Sequence, residues 1–236
     1  MLEAYGLSDP GCVRKNNEDS YLIEPALGLC LLADGMGGAQ AGETASLLAV
    51  QTAADFIRSA PVRSETVLRD SFDEANRTVL AKAASEVQYT GMGTTMVGLL
   101  DNGDEIAIAS VGDSRAYLFN NGGLQPLTED QTWANEVGRK LGLDDERLRN
   151  HPFRHVLTMA IGVDNTLRIN SRSLRLGADS LVLLCSDGLH GVVSQENIVS
   201  GLKNLGTLEA KCHYLIEAAR KAGGPDNITA ILVRKL

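Results

Sequence analysis

The alternation of apolar and polar residues along the chain predicts many short strands and a few long helices. Apolar runs of about five or six residues, bounded by turn residues, are typical of buried strands. They cover residues 27–33, 95–100, 105–111, 116–119, 169–174, 181–185 and 228–233. Asn102-Gly103 and Asn121-Gly122 lie between such runs at hairpin spacing, which indicates antiparallel neighbours.

Four segments have helical periodicity instead: residues 42–59, 64–87, 195–202 and 208–222. Strands and helices are grouped rather than strictly alternating, which favours an α+β layered domain over a doubly wound parallel sheet. No repeat or linker divides the chain, so we expect one domain over residues 1–236. Residues 130–161 are less regular and fairly basic, and they are predicted to form a surface flap.

Composition excludes several classes of function. The 236 residues are 44% hydrophobic and 22% charged, as in ordinary globular proteins, and the net charge of -8 argues against nucleic-acid binding. The first residues lack the order of a signal peptide, and no apolar stretch approaches ~20 residues. The widely spaced cysteines are expected to be reduced, buried thiols. We therefore expect a cytoplasmic protein without membrane association, and a monomer by default.

Four aspartates occur where predicted strands end. Asp34, Asp113 and Asp187 follow apolar runs, and Asp226 precedes the last one. Carboxylates gathered at one end of a sheet core repel one another unless a cation neutralises them. Oxygen ligands without His or Cys favour Mg²⁺ or Mn²⁺ over zinc. Asp-Gly pairs are also common in turns, so spacing alone leaves the metal and the turn interpretations open.

The glycine-rich stretch 35–44 fits neither of two phosphate-binding motifs. Glu43 occupies the position of the lysine that a phosphate loop requires, and Gln40 replaces the third glycine of a dinucleotide fingerprint. A tight strand-to-helix turn beside a metal site is the better interpretation. Arg14 lies in a polar stretch between two short strands, where it either binds phosphate or is a solvated surface residue. Glu18 and Asp19 could likewise be turn residues.

Six motifs, in this order, resemble those of the bacterial metal-dependent Ser/Thr protein phosphatases of type 2C (the PPM family). They are RKNNED at 14–19, ADGMGG at 33–38, GMGTT at 91–95, VGDSR at 111–115, SDG at 186–188 and GPDNIT at 224–229. Each motif is weak alone, but together they span nearly the whole chain. The resemblance implies an αββα sandwich, with two antiparallel β-sheets flanked by helical layers.

The resemblance also implies roles for individual residues. Asp34 would bridge two metal ions, with the Gly35 carbonyl, Asp187 and Asp226 as further ligands. Asp113, together with Asp187, matches the position that holds a third, weaker ion. Arg14 matches the phosphate-binding arginine, and Asp19 and Glu18 would hold metal-bound water.

The implied activity is hydrolysis of phosphoserine and phosphothreonine monoesters. The site would hold two to three Mg²⁺ or Mn²⁺ ions, and a water that bridges two of them would attack the phosphorus. Phosphorylated proteins, made by a bacterial Ser/Thr kinase, would be the substrates. A catalytically weak, phosphoprotein-sensing module and a hydrolase of small phosphoesters remain as alternatives. Two positions depart from the family: Ala39 replaces a histidine of many bacterial members, and Met36 replaces a proposed general acid of animal members. We therefore hypothesise that metal-bound water protonates the leaving group.

Overall fold

Two antiparallel sheets, each with helices on its outer face, form the described part of the chain, which comprises residues 2–37, 41–177, 179–204 and 206–235 of a computed structural model. The strands in chain order are β1 (Leu2–Asp9), β2 (Asp19–Glu24), β3 (Leu29–Met36), β4 (Gly93–Thr94), β5 (Met96–Asp101), β6 (Ile106–Val111), β7 (Arg115–Asn120), β8 (Gly123–Pro126), β9 (Asn170–Leu174), β10 (Leu181–Cys185) and β11 (Ile228–Lys235).

One sheet has the strand order β1-β11-β10-β7-β8, and the other has the order β2-β3-β5-β6-β9, with β4 paired to the end of β3. All pairings are antiparallel among the described strands. β1 pairs along its whole length with β11. The polar stretch 10–18, which follows β1, therefore lies next to residues 224–227, which precede β11.

The helices are α1 (Ala41–Ser59), α2 (Glu65–Ser85), α3 (Asp145–Asn150), α4 (Asp187–His190), α5 (Gln195–Asn204) and α6 (Leu208–Lys221). α1 and α2 pack on the sheet that contains β3, whereas α6 packs on β1 and β11 and α5 packs on α6 and β8. Short 3₁₀ and π turns occupy Val87–Tyr89 and Ala134–Gly138. None of the helices in the described ranges has an apolar stretch long enough to cross a bilayer.

Three layers of apolar side chains explain why the strands have continuous apolar runs. Successive residues of a strand point to opposite faces. In β3, Leu29 and Leu31 therefore pack against α1 and α2, while Cys30 and Leu32 contact the facing sheet. Central strands are buried on both faces, and an alternating polar pattern is consequently absent from them. The αββα sandwich that the resemblance implied is confirmed.

Most of the predicted elements are confirmed within a few residues, and both Asn-Gly hairpins join antiparallel neighbours. The predicted apolar runs do not include β1, β2, β8 or the two-residue strand β4. The pattern also ends β3 too early, because Asp34 and Gly35 are polar or small but still lie within the strand. The thiols of Cys30, Cys185 and Cys212 are buried as predicted, whereas Cys12 is exposed and corrects that expectation.

Candidate metal centre

Carboxylates from distant parts of the chain meet in one cleft at an end of the sandwich. The cleft has a volume of about 660 Å³ and is lined by Asp34, Asp113, Asp187 and Asp226, together with Arg14, Glu18 and Gly35. All the residues predicted for the metal and phosphate sites therefore line this cleft, with one exception. Asp19 is not part of the lining and is buried next to it.

Asp19 and Asp34 form a cross-strand pair of like charges. Asp19 begins β2 and lies directly opposite Asp34 of β3 in the antiparallel register. Like charges in that arrangement destabilise a sheet. The Ser186 and Thr229 hydroxyls donate hydrogen bonds of 2.8 and 2.6 Å to Asp19 Oδ2, whereas Asp19 Oδ1 is buried without a partner among the described residues. An orphaned carboxylate oxygen beside this cleft is an available acceptor for a water molecule.

The other three aspartates lie where strands of the sandwich begin or end. Asp113 lies in the turn between β6 and β7, Asp187 begins α4 directly after β10 and Ser186, and Asp226 precedes β11 by two residues. The backbone is tightly packed beside two of the four cleft aspartates, Asp187 and Asp34. A Cβ atom on Gly188 would lie 1.9 Å from the Asn227 carbonyl oxygen, so no larger residue fits beside Asp187. The same holds for Gly35, whose Cβ would lie 2.2 Å from the Gly42 carbonyl oxygen.

Asn227 fixes the loop that carries Arg14, a role that the sequence does not reveal. Its side-chain oxygen accepts a hydrogen bond of 2.8 Å from the Glu18 amide, and its nitrogen donates to the carbonyl oxygens of Pro10 and Asn16. Because the side chain is buried and uses both of its polar atoms, it ties the β1–β2 loop to the start of β11. The only available signal was its place beside Asp226 in the last motif.

Burial and mutual repulsion disfavour the ionised form of these carboxyl groups. Burial is the largest cause in each case, and the neighbouring aspartates add to it. The pKa of Asp34 is raised well above its ordinary value, and the pKa values of Asp19 and Asp113 are raised to about 7. The pKa of Asp187 is also raised, by burial and by the Asp226 charge. The centre thus contains more negative charge than the surrounding protein compensates.

Arg14 lies at the rim of the cleft rather than inside it. Its Nη2 atom is 2.8 Å from Asp226 Oδ2, and 54% of its side chain is exposed. An exposed pair of this kind contributes little to stability, so the guanidinium remains available to a ligand. Glu18 lies nearby, and burial raises its pKa while Arg14 lowers it.

The donor set fits hydrated divalent ions that prefer oxygen. No group of three or more His, Cys, Asp or Glu side chains among the described residues is drawn together closely enough to hold an ion by side chains alone. Mg²⁺ keeps several waters and binds through one or two carboxylates, so Asp34 and its neighbours, completed by water and a backbone carbonyl, suit such an ion. Closed zinc sites require a tighter set with nitrogen or sulfur donors.

Two further positions bear on the departures from the family pattern. Met36 lines the cleft at the end of β3, and its thioether carries no proton to transfer. Ala39 lies outside the described residues. His155 belongs to the predicted flap; it is exposed and also lines the cleft, where it partly offsets the rise in the pKa of Asp187 that burial and the Asp226 charge cause.

Comparison with known proteins identifies the family. The family model described as protein phosphatase 2C matches residues 13–232. The chain belongs to this family. Among its type 2C relatives, the serine/threonine phosphatase stp of Listeria monocytogenes is 35% identical over 236 residues, which cover 97% of this chain and 94% of the relative.

Solved type 2C structures agree with the fold. The serine/threonine phosphatase of S. agalactiae superposes with a TM-score of 0.92 at 32% identity, over 100% of both chains. The catalytic domain of the serine/threonine phosphatase PstP, in complex with two manganese ions, superposes with a TM-score of 0.85 at 34% identity, over 98% of this chain and 97% of that one.

Proposed function

We propose that this chain is a metal-dependent protein serine/threonine phosphatase that hydrolyses phosphoserine and phosphothreonine monoesters. The observation that carries the proposal is the convergence of Asp34, Asp113, Asp187 and Asp226 on one cleft with Arg14 at its rim. The family relationship supports the same activity.

The ligand assignments follow from the positions of the oxygens. We assign Asp34, the Gly35 carbonyl, Asp187 and Asp226 to two ions, and Asp113 with Asp187 to a third. The ions would be Mg²⁺ or Mn²⁺, because every assigned donor is a hard oxygen. Two manganese ions in the PstP domain support the pair of sites.

The residues around these ligands have separable tasks. When bound, such ions lower the pKa of water and act as Lewis acids toward phosphoryl oxygens. The Asp19 carboxylate, held by Ser186 and Thr229, and Glu18 accept hydrogen bonds from water in the cleft. Arg14 binds phosphoryl oxygens with its planar guanidinium. Met36 cannot protonate the leaving alkoxide, so that proton comes from water.

Arg14→Gln is expected to weaken substrate binding more than turnover. A lost charge-assisted hydrogen bond costs ~2 kcal/mol, which corresponds to a ~30-fold loss in kcat/KM, carried mainly by KM. Steady-state kinetics on a phosphothreonine peptide at saturating Mn²⁺ would measure both constants. As a control, Arg175→Gln removes an exposed arginine paired with Glu105 near the β5–β6 hairpin, outside the cleft lining, and should change neither constant. A lower kcat with unchanged KM would contradict the role of Arg14.

The remaining proposals concern the setting of the enzyme. We propose one catalytic domain over residues 1–236, with residues 130–161 as its flap. Substrates would be proteins phosphorylated by a bacterial Ser/Thr kinase, met in the cytoplasm by a monomeric enzyme without membrane association. The relatives named as serine/threonine phosphatases support the substrate class.

Hydrolysis of p-nitrophenyl phosphate and a phosphothreonine peptide, with Mn²⁺ and with chelator, tests the function. We expect turnover of both substrates that chelator abolishes and added Mn²⁺ or Mg²⁺ restores. Peptide binding without turnover at saturating Mn²⁺ would instead favour the phosphoprotein-sensing module. Turnover that survives exhaustive chelation would overturn the metal-dependent proposal.

A further inference from the structure

Two adjoining cavities extend from the metal cleft along the 130–161 segment. The first, of about 510 Å³, shares Asp113, Asp187 and His155 with the lining of the metal cleft. The second, of about 710 Å³, shares Arg115 and Arg139 with the first and extends to β8 and Gln195. We call these two cavities together the lateral groove. It is continuous with the cleft because neighbouring cavities have lining residues in common.

The floor of the lateral groove is a rigid, neutralised ion pair. The Arg115 guanidinium donates two hydrogen bonds to the Asp130 carboxylate, at 2.8 and 2.6 Å, and a third to the Tyr117 hydroxyl at 2.7 Å. A bidentate pair of this type is geometrically fixed. Since Arg115 and Asp130 satisfy each other, neither contributes net charge for a ligand.

The arginines along the groove walls differ from the other arginines of this region. Arg147 pairs with Asp144, and Arg168 pairs with Glu136. By contrast, the walls carry guanidinium groups that form no ion pair with any described residue: Arg139, Arg149 and Arg154. In a chain with a net charge of -8, such a concentration of unpaired cations in a concave surface favours an anionic ligand.

The acidic residues of the groove do not cancel this charge. Glu136 is engaged by Arg168 through hydrogen bonds of 2.7 and 2.8 Å, and its pKa is lowered chiefly by those bonds. Asp113 and Asp187 are the residues assigned above to metal ions. The remaining acidic residues of the lining are Glu129 and Asp145, whereas the remaining basic residues are the three unpaired arginines and Lys140. The groove therefore has an excess of positive charge.

Of the unpaired arginines, Arg139 is the best placed to bind an anion in the groove. It lines both cavities and is thus located where they join. Its Nε atom donates a hydrogen bond of 3.1 Å to Asn135 Oδ1, and Asn135 Nδ2 in turn donates to the Asp130 carbonyl oxygen at 3.3 Å. These contacts orient the guanidinium but use only one of its five donors.

We propose that the lateral groove binds the peptide chain of the substrate beside the phosphorylated residue, and that Arg139 recognises an anionic side chain there. The shared chemistry of that side chain is a carboxylate or a second phosphate, either of which forms bidentate hydrogen bonds with a guanidinium. This specificity determinant rests on the proposed phosphatase function and adds a preference for acidic or multiply phosphorylated sequences to it.

The test compares peptides that differ only in one flanking residue. A phosphothreonine peptide carries a single glutamate, moved one position at a time, and matched peptides carry glutamine there, or phosphoserine in the form of a phosphonate analogue that cannot be hydrolysed, so that the phosphothreonine is the one substrate group. For the unmodified chain loaded with Mn²⁺, kcat/KM should be ~10-fold higher for at least one glutamate or phosphoserine position than for glutamine, which corresponds to ~1.4 kcal/mol. Arg139→Gln should reduce this ratio to near one, whereas Arg139→Lys should keep part of it.

Controls separate this proposal from the function on which it rests. Arg147→Gln removes an arginine of the same segment that lines neither cavity, and it should leave the ratio unchanged. p-Nitrophenyl phosphate has no flanking residues, so its hydrolysis reports whether the metal centre is intact. A ratio near one at every position in the unmodified chain, with normal turnover of p-nitrophenyl phosphate, would overturn the groove proposal alone. Absence of all turnover would overturn the phosphatase function itself. The glutamate and phosphoserine peptides show which of the two anions Arg139 prefers.

Discussion

Replacing Asp34 with asparagine is expected to abolish phosphatase turnover while making the metal-free protein more resistant to heat. The carboxylate is assigned to both principal ions, so its loss should lower kcat/KM by ~1,000-fold or more, which corresponds to ~4 kcal/mol of transition-state stabilisation. In the absence of ions, burial raises the pKa of the same carboxyl group, and the charges of Asp19, Asp187 and Asp113 raise it further. A neutral amide of the same shape removes that repulsion.

In the Asp34→Asn variant, kcat/KM should therefore fall, whereas the Tm of the metal-free protein should rise. Assays at saturating Mn²⁺ would measure the first, and thermal melts in chelator at about pH 8 would measure the second. Asp104→Asn, in the exposed turn between β5 and β6, is the matched control and should change neither quantity. A variant that melts below the unmodified chain in chelator would show that Asp34 supports the fold, and would contradict the repulsion inferred here.

The metal-free protein is expected to lose stability as the pH rises from about 5 to about 8. The pKa values of Asp19 and Asp113 are about 7 in the folded chain, against ~3.9 when unfolded. Between these values the folded chain binds more protons than the unfolded chain, and folding stability then falls with increasing pH. Both side chains are only 8% exposed, so solvent screens the effect weakly. We expect a decrease in Tm of at least ~5 °C.

Melting curves in chelator and in saturating Mn²⁺ across this pH range would test the expectation. Ion binding requires deprotonated ligands and adds stability by mass action, so the stabilisation by Mn²⁺ should grow as the pH increases. Asp34→Asn in chelator should show a weaker pH dependence than the unmodified chain. A Tm in chelator that rises steadily from about pH 5 to 8 would contradict the raised pKa values.

The architecture was predictable because buried strands and helices require apolar residues at positions that are visible in the sequence. Strands buried on both faces, such as β10 (Leu181–Cys185), have uninterrupted apolar runs, and Asn-Gly pairs set the two hairpins. The boundaries at the centre were less predictable. β3 continues through Asp34 because the ladder with β2 and β4 stabilises the strand there, although the side chain is polar. The pattern of apolar and polar residues near Asp34 gives no information about this pairing, because β4 is distant in the sequence.

The candidate site was predictable residue by residue but not in its arrangement. The motifs indicated the acidic residues, yet no spacing shows that Asp19 lies opposite Asp34, because register arises only when β2 and β3 pair. Asn227 contacts Glu18 across 209 residues of sequence, so its role is visible only in three dimensions. The ion pair of Arg14 with Asp226 is likewise visible only in three dimensions, since a guanidinium can pair with any nearby carboxylate.

The pairing of β1 with β11, together with the bonds from Asn227 to the β1–β2 loop, sets the moment in biosynthesis at which the enzyme can begin to work. When residues 1–200 have left the ribosome, Asp34, Asp113 and Asp187 are all present, but the loop bearing Arg14 still lacks its hydrogen bonds to Asn227 and its ion pair with Asp226. Only when residues 226–235 emerge does the nascent polypeptide acquire the complete candidate metal centre, so truncated translation products should be unable to hydrolyse phosphoesters.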